Sequence, residues 1–207
     1  MLVSGEGSNL QAILDSVHGR EGIEVACVGA SRADARALER ASEAGIPTGV
    51  FAASDHPDRV ARDEALGQFL AGHDVDLVVL AGFTELLEPA FVRRYDGRII
   101  NVHPSLLPAF RGLRAIEQAL DYGVRVTGAT VHFVDEGVDT GPIVAQEAID
   151  LPYAQDIARV EERIHAVEHR LLPEAIRLIA RSRVRIEPAQ PGVRRRVIVE
   201  GERRGER

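Results

Sequence analysis

Asn101-Val102-His103-Pro104-Ser105-Leu106-Leu107-Pro108 contains the residues best suited to chemistry in this chain. On an extended backbone, side chains two apart share a face, so the Asn101 amide and the His103 imidazole would converge on one reacting oxygen. A lone histidine is more often structural, but pairing with Asn101 at the C-terminal end of an apolar run turns the reading towards catalysis. Further on, His132-Phe133-Val134-Asp135-Glu136-Gly137-Val138-Asp139-Thr140-Gly141-Pro142 reads as an acidic loop whose glycines permit a sharp reversal. Acidic turns are usually just solvated. Asp139, between Gly137 and Gly141, is nevertheless placed to reach a neighbouring imidazole or a proton in transit.

Two other segments offer binding. In Ser4-Gly5-Glu6-Gly7-Ser8-Asn9-Leu10 an apolar start gives way to a glycine turn and a helical pattern, with Ser8 or Asn9 as cap. Free amides and the positive end of a helix dipole favour a phosphate there. A plain strand-to-helix turn has the same sequence, and Gly-x-Gly alone does not separate the two. Asp76-Leu77-Val78-Val79-Leu80-Ala81-Gly82-Phe83 reads as a buried strand leading into Thr84 to Leu87, where only Glu85 ionises. Binding is the most that loop supports.

Other chemistries find little footing. The seven histidines include no His-Glu-x-x-His; His165 and His169 are four apart, but without a further ligand they make a weak case for zinc. No Gly-x-Ser-x-Gly elbow occurs. All 25 basic residues are arginine, so no lysine-bearing phosphate loop exists. The single cysteine, Cys27, lies in the apolar run Ile23 to Val28 and is expected to be buried and inert. A net charge of −7 argues against general nucleic-acid binding. No apolar run approaches the roughly 18 residues of a membrane span, and no export signal is visible at the start, so a cytoplasmic location is expected.

Elements able to position these residues alternate along the chain. Strands are expected at 23–28, 75–80, 98–102, 126–134 and 143–148, and helices at 9–17, 33–44, 58–70, 89–95, 113–122 and 154–180. That alternation predicts an α/β, Rossmann-like fold with a mostly parallel central sheet flanked by helices, where ligands sit at the carboxyl ends of strands. With 207 residues the chain suits one core, so residues 1–187 are expected to form a single catalytic domain and the arginine-rich 188–207 a flexible tail. Only Met1-Leu2-Val3 precede Ser4, whereas a strand is typically about five or six residues. The first strand therefore reads as clipped, as a start site placed too late would make it.

Taken together, Ser4-Gly5-Glu6-Gly7-Ser8-Asn9-Leu10-Gln11, Ala81-Gly82-Phe83, Asn101 to Pro108 and Asp139-Thr140-Gly141-Pro142 resemble the phosphoribosylglycinamide formyltransferase family of folate-dependent enzymes in purine synthesis, in order from Ser4 to about Ile179. The resemblance implies catalysis by Asn101, His103 and Asp139. It implies a ribotide phosphate at Gly7, Ser8 and Asn9, with the late helix contributing at His165 to Glu168, Glu168 above all. It implies 10-formyltetrahydrofolate as co-substrate, its pterin against Thr84, Glu85, Leu86 and Leu87 and against Asp135, Glu136, Gly137, Val138 and Asp139, with Arg59 near the folate. No metal is required. The partners implied are small molecules, with no nucleic acid or membrane, on a monomer or homodimer. Ala109-Phe110-Arg111-Gly112-Leu113-Arg114 departs from the family, which usually has proline before that glycine, and Leu-Leu-Pro followed by Arg-Gly is similar to the methionyl-tRNA formyltransferases. Those and the formyltetrahydrofolate hydrolases carry a further domain, and the expectation is that this chain is neither. A catalytically idle, ligand-binding homologue is the remaining alternative.

Overall fold

The computed structural model describes residues 1–152, 156–188 and 193–200. Strands β1 (Leu2–Val3), β2 (Val28–Ala30), β3 (Thr48–Val50), β4 (Val78–Ala81), β5 (Ile99–His103), β6 (Val126–Phe133) and β7 (Ile143–Asp150) form one sheet in the order β3-β2-β1-β4-β5-β6-β7. The first five pair in parallel, and β6 and β7 are antiparallel. This is the α/β, mostly parallel architecture expected. The chain winds outwards on one side for β2 and β3 and on the other for β4 and β5. The reversal leaves a crevice outside the carboxyl ends of β1 and β4.

Helices α1 (Ser8–Ser16), α2 (Ala37–Glu43), α3 (Arg59–Ala71), α4 (Pro89–Arg94), α5 (Ala115–Tyr122) and α6 (Ile157–Ala180) cover the sheet. Strand alternation divides the core. Val3, Ile100 and Val102 pack with Leu10 and Ile13 of α1 and Leu172 and Ile176 of α6. Leu2 and Ile99 pack with Leu66 and Leu70 of α3 and Phe91 and Tyr95 of its neighbour. By the same parity Asn101 and His103 share the side of Ile99. The expected start of α6, at Ala154 and Gln155, lies outside the described residues; the helix proper begins after Asp156, whose carboxylate accepts the Ala158 N–H.

Several elements differ from expectation. The run 23–28 contributes only its last residue to β2, because the ladder with β1 starts where Gly29 donates to the Met1 carbonyl. Strand β3 went unread: it is three residues around Gly49, at the sheet edge. The expected tail is partly built. β8 (Val184–Ile186) and β9 (Val197–Val199) form an antiparallel hairpin, and Val184, Ile186 and Val197 pack on the main core. Residues 189–192 and 201–207 of that expected tail lie outside the described residues.

At the amino end of β1, the Met1 ammonium donates to the Cys27 carbonyl at 2.7 Å, and burial brings its pKa down to about 6. Burial likewise pushes the Cys27 thiol up, in keeping with an inert cysteine. A cavity of about 510 Å³ opens beside these two residues, lined by Ile23, Val25, Val75 and Leu77 among others. It lies at the opposite end of the sheet from His103.

Candidate active site

β5 and β6 run antiparallel with Asn101 opposite His132 and His103 opposite Thr130, so four polar side chains share one patch of an otherwise apolar sheet. His103 Nε2 donates to the Phe110 carbonyl at 2.8 Å, and its Nδ1 lies 3.3 Å from Asp139 Oδ2. Both ring nitrogens thus face acceptors, the arrangement that an imidazolium satisfies. Burial is the largest influence on His103 and holds its pKa below the usual histidine value; Asp139 and the Phe110 carbonyl pull the other way. Asp139 is the reverse case. Burial alone would raise its pKa, but His132, His103 and the Gly112 N–H, which donates to Oδ2 at 2.7 Å, together hold it below the ordinary carboxylate value.

His132 was quoted in the sequence only as part of a loop, yet it orients Asn101. Its Nδ1 donates to the Phe133 carbonyl at 2.8 Å, and its Nε2 faces both the Asn101 amide at 3.2 Å and Asp139 Oδ1 at 3.5 Å: with Nε2 unprotonated it accepts from Asn101, and with Nε2 protonated it pairs with Asp139. In the first state one N–H of Asn101 is tied to His132. The sequence signal was the polar pair Thr130 and His132 at period two within a buried strand. Thr130 fastens the loop after β5: its hydroxyl donates to the Ser105 carbonyl at 2.6 Å and accepts the Leu107 N–H at 3.1 Å.

The glycine loop is an open helix N-terminus. Gly7 caps α1 at φ +73°, with no side-chain cap on the helix, and a Cβ there would lie 2.6 Å from the Ala37 Cβ. Only glycine fits this position. Glu168 is buried beside it, accepting from Asn9 Nδ2 at 2.9 Å and pairing with His165 Nδ1 at 2.9 Å. That pairing, chiefly the hydrogen bond, raises the His165 pKa. The Asn9 Oδ1 and His169 Nε2 atoms are buried without a protein partner. The glycine loop and the late helix, which the resemblance assigns to one ligand, therefore meet.

The loop from Thr84 to Leu87 closes another side. The Thr84 N–H donates to Ser4 Oγ at 2.9 Å, tying the ends of β4 and β1, and Ser31 beyond β2 donates to the same oxygen. Arg59 forms an ion pair with Glu88 at the loop's far end. The stronger fastening is Arg62, which the sequence reading passed over. Buried on α3, it donates to Asp63, to Glu85 at 3.0 Å and to the Leu86 carbonyl at 2.7 Å. Its spacing with Leu66 and Leu70 placed it on the core face. Asp63 in turn accepts the Glu88 N–H. Leu86 and Val138 remain exposed on the two loops, offering apolar surface to a flat ligand. In the facing loop Glu136 pairs with Arg93 of α4, and Asp135 accepts from the Gly137 N–H and the Thr140 hydroxyl. Among the described residues, no group of three or more His, Cys, Asp or Glu side chains is arranged to hold a metal.

Known proteins share this arrangement of chain. A family described as "Formyl transferase" matches residues 1–176. The chain is 46% identical over 180 residues to a phosphoribosylglycinamide formyltransferase of Mycobacterium tuberculosis, covering 87% of this chain and 83% of that protein. It is 42% identical over 187 residues to the trifunctional purine biosynthetic protein adenosine-3 of Bos taurus, but spans only 18% of that protein's length. The crystal structure of glycinamide ribonucleotide transformylase 1 from Symbiobacterium toebii superposes with a TM-score of 0.89 at 47% identity, covering 96% of this chain and 91% of that one. On this match of sequence, fold and coverage, the chain belongs to the formyl transferase family, with the phosphoribosylglycinamide formyltransferases.

Proposed function

We propose that this chain transfers the formyl group of 10-formyltetrahydrofolate to the primary amine of N1-(5-phospho-D-ribosyl)glycinamide, a step of purine biosynthesis carried out in the cytoplasm. The observation that carries the reading is the convergence of Asn101, His103 and Asp139 on one polar patch, with the glycine loop and Glu168 completing the same end of the fold. The glycine loop's amides receive the ribotide phosphate. The apolar rims at Leu86 and Val138 receive the pterin, and Arg59 lies on the outer side where the rest of the folate emerges.

In the reaction the amine nitrogen attacks the formyl carbon, a new C–N bond forms and the bond to N10 of the folate breaks. One proton passes from the attacking amine to the departing nitrogen, and nothing is oxidised or reduced. The free N–H of Asn101 donates to the tetrahedral oxyanion, a donor worth about 3 kcal/mol in sites of this kind, and the protonated His103 ring, its two N–H groups held by Phe110 and Asp139, stabilises the oxyanion as a neighbouring positive charge. Asp139 holds the imidazolium and passes the proton, through water where the distance requires it. Alignment of the two substrates supplies the remainder.

Turnover separates this reading from its rivals. The purified chain is given 10-formyltetrahydrofolate and deformylation is followed optically with the ribotide, with water alone, or with formylatable Met-tRNA as acceptor. Turnover dependent on the ribotide is expected. Turnover with water or tRNA alone would transfer the function to another member of the family, and binding without turnover to an idle homologue.

A further inference from the structure

The C-terminal arginine segment does not trail away from the site; it grips the loop that carries Asp139. Glu187 N–H donates to the Arg196 carbonyl and Glu200 N–H to the Arg183 carbonyl, so the hairpin of β8 and β9 is closed at both ends. From it, the Arg194 guanidinium donates to the carbonyl of Thr140, the residue after Asp139. The neighbouring Arg195 pairs with Asp96 at 3.0 Å, just before β5. One short segment therefore bridges the entry to the strand bearing Asn101 and His103 and the loop bearing their acidic partner.

That loop needs an outer support. Asp139 sits at φ +49°, a conformation in which a residue with a side chain persists only if its surroundings enforce it. Its inner side is well held: Thr140 donates to Asp135, and Gly141 lies so close to the Phe133 carbonyl that a Cβ would come within 1.8 Å of the oxygen. On the outer side a cavity of about 320 Å³ is lined by Asp139 together with Arg111, Arg194 and Arg196. Of those three arginines, Arg194 is the one with a hydrogen bond to the loop backbone among the described residues.

We propose that Arg194, anchored through Arg195 to Asp96 and by the hairpin, is a positioning residue for formyl transfer: it fixes the loop backbone so that the Asp139 carboxylate stays between His103 and the Gly112 N–H. The inference rests on Asp139 being catalytic, and the test separates the two. Arg194→Ala, Arg194→Lys, Asp96→Ala and Asp139→Asn are compared in the 207-residue chain for kcat, ribotide KM and the pH profile of kcat. Arg194→Ala is expected to lower kcat about tenfold, the scale of a sub-ångström misplacement, with ribotide KM little changed. Loosening the Asp139–His103 contact raises the aspartate pKa and lowers that of the histidine, so the kcat profile narrows from both sides. Lysine, which still donates to a carbonyl, restores most of kcat, and Asp96→Ala moves kcat in the same direction as Arg194→Ala, by less. An unchanged kcat and profile in Arg194→Ala, beside an inactive Asp139→Asn, would overturn the positioning role while leaving Asp139 in place. An active Asp139→Asn would instead remove the catalytic assignment on which it stands. Should Arg194→Ala fail to fold, an Asp96→Ala enzyme with the parent's kcat and profile overturns the role equally.

Discussion

His103 is asked to do two opposed things. Burial disfavours its charged form, while the Phe110 carbonyl on one nitrogen and Asp139 on the other await a proton on each. In the proposed reaction an oxyanion forming beside the ring favours its charged form, for which both acceptors are already placed, so that little reorganisation is needed. Replacing His103 by Asn keeps a donor of similar reach but cannot carry the charge. Turnover of His103→Asn is expected to fall by about 10²- to 10³-fold with ribotide affinity nearly intact, read from steady-state kinetics and a binding titration. Equal losses in both would assign His103 to substrate binding.

Among the elements, β6 supports the site most directly. Its central Gly128 faces β7 so closely that a Cβ would fall 2.0 Å from the Glu147 carbonyl and 2.9 Å from Leu106, in the loop that follows His103. Gly128→Ala should cost about 1–3 kcal/mol by denaturant unfolding and lower kcat as well, because the pair must separate and the loop shift. An unaltered midpoint would show that the strands have slack. Much of this scale was legible in the sequence. The strands from β4 to β7 fell within a few residues of expectation because long apolar runs carry a clear period. The polar residues Asn101, His103 and Asp139 stood out against them. What was not legible was distance along the chain: nothing local ties His132 to Asn101, Arg62 to the loop at Leu86, or Arg194 to Thr140. The hairpin of β8 and β9 was hidden because two three-residue strands flanked by arginines read as a charged tail.

On the scale of the whole molecule, charge is distributed with little regard to the net value of −7. Arg111, Arg194, Arg195 and Arg196 line one cavity, while the opposite end of the sheet encloses the Met1 ammonium. That amine titrates near 8.0 when unfolded and near 6 when folded. Below about pH 6 both states are protonated and the folded chain bears the full cost of a buried charge. Between 6 and 8 only the unfolded chain holds the proton, so stability rises with pH, by about 3 kcal/mol across the window. Thermal unfolding of the chain that begins at Met1, at pH 5.5, 7 and 8.5, should show this rise. Acetylating the amine should flatten it, and an identical slope in the acetylated chain would place the titration elsewhere.

The same buried terminus has a practical side. Since the sequence holds no lysine, a chain beginning at Met1 carries a single primary amine, and the fold hides it against Cys27. Acylating dyes should leave the native enzyme unmarked. Any tag that does appear, localised to the first peptide by mass spectrometry, would time how often the innermost strand peels open. In a chain so begun, that reading would serve as a clock for local unfolding.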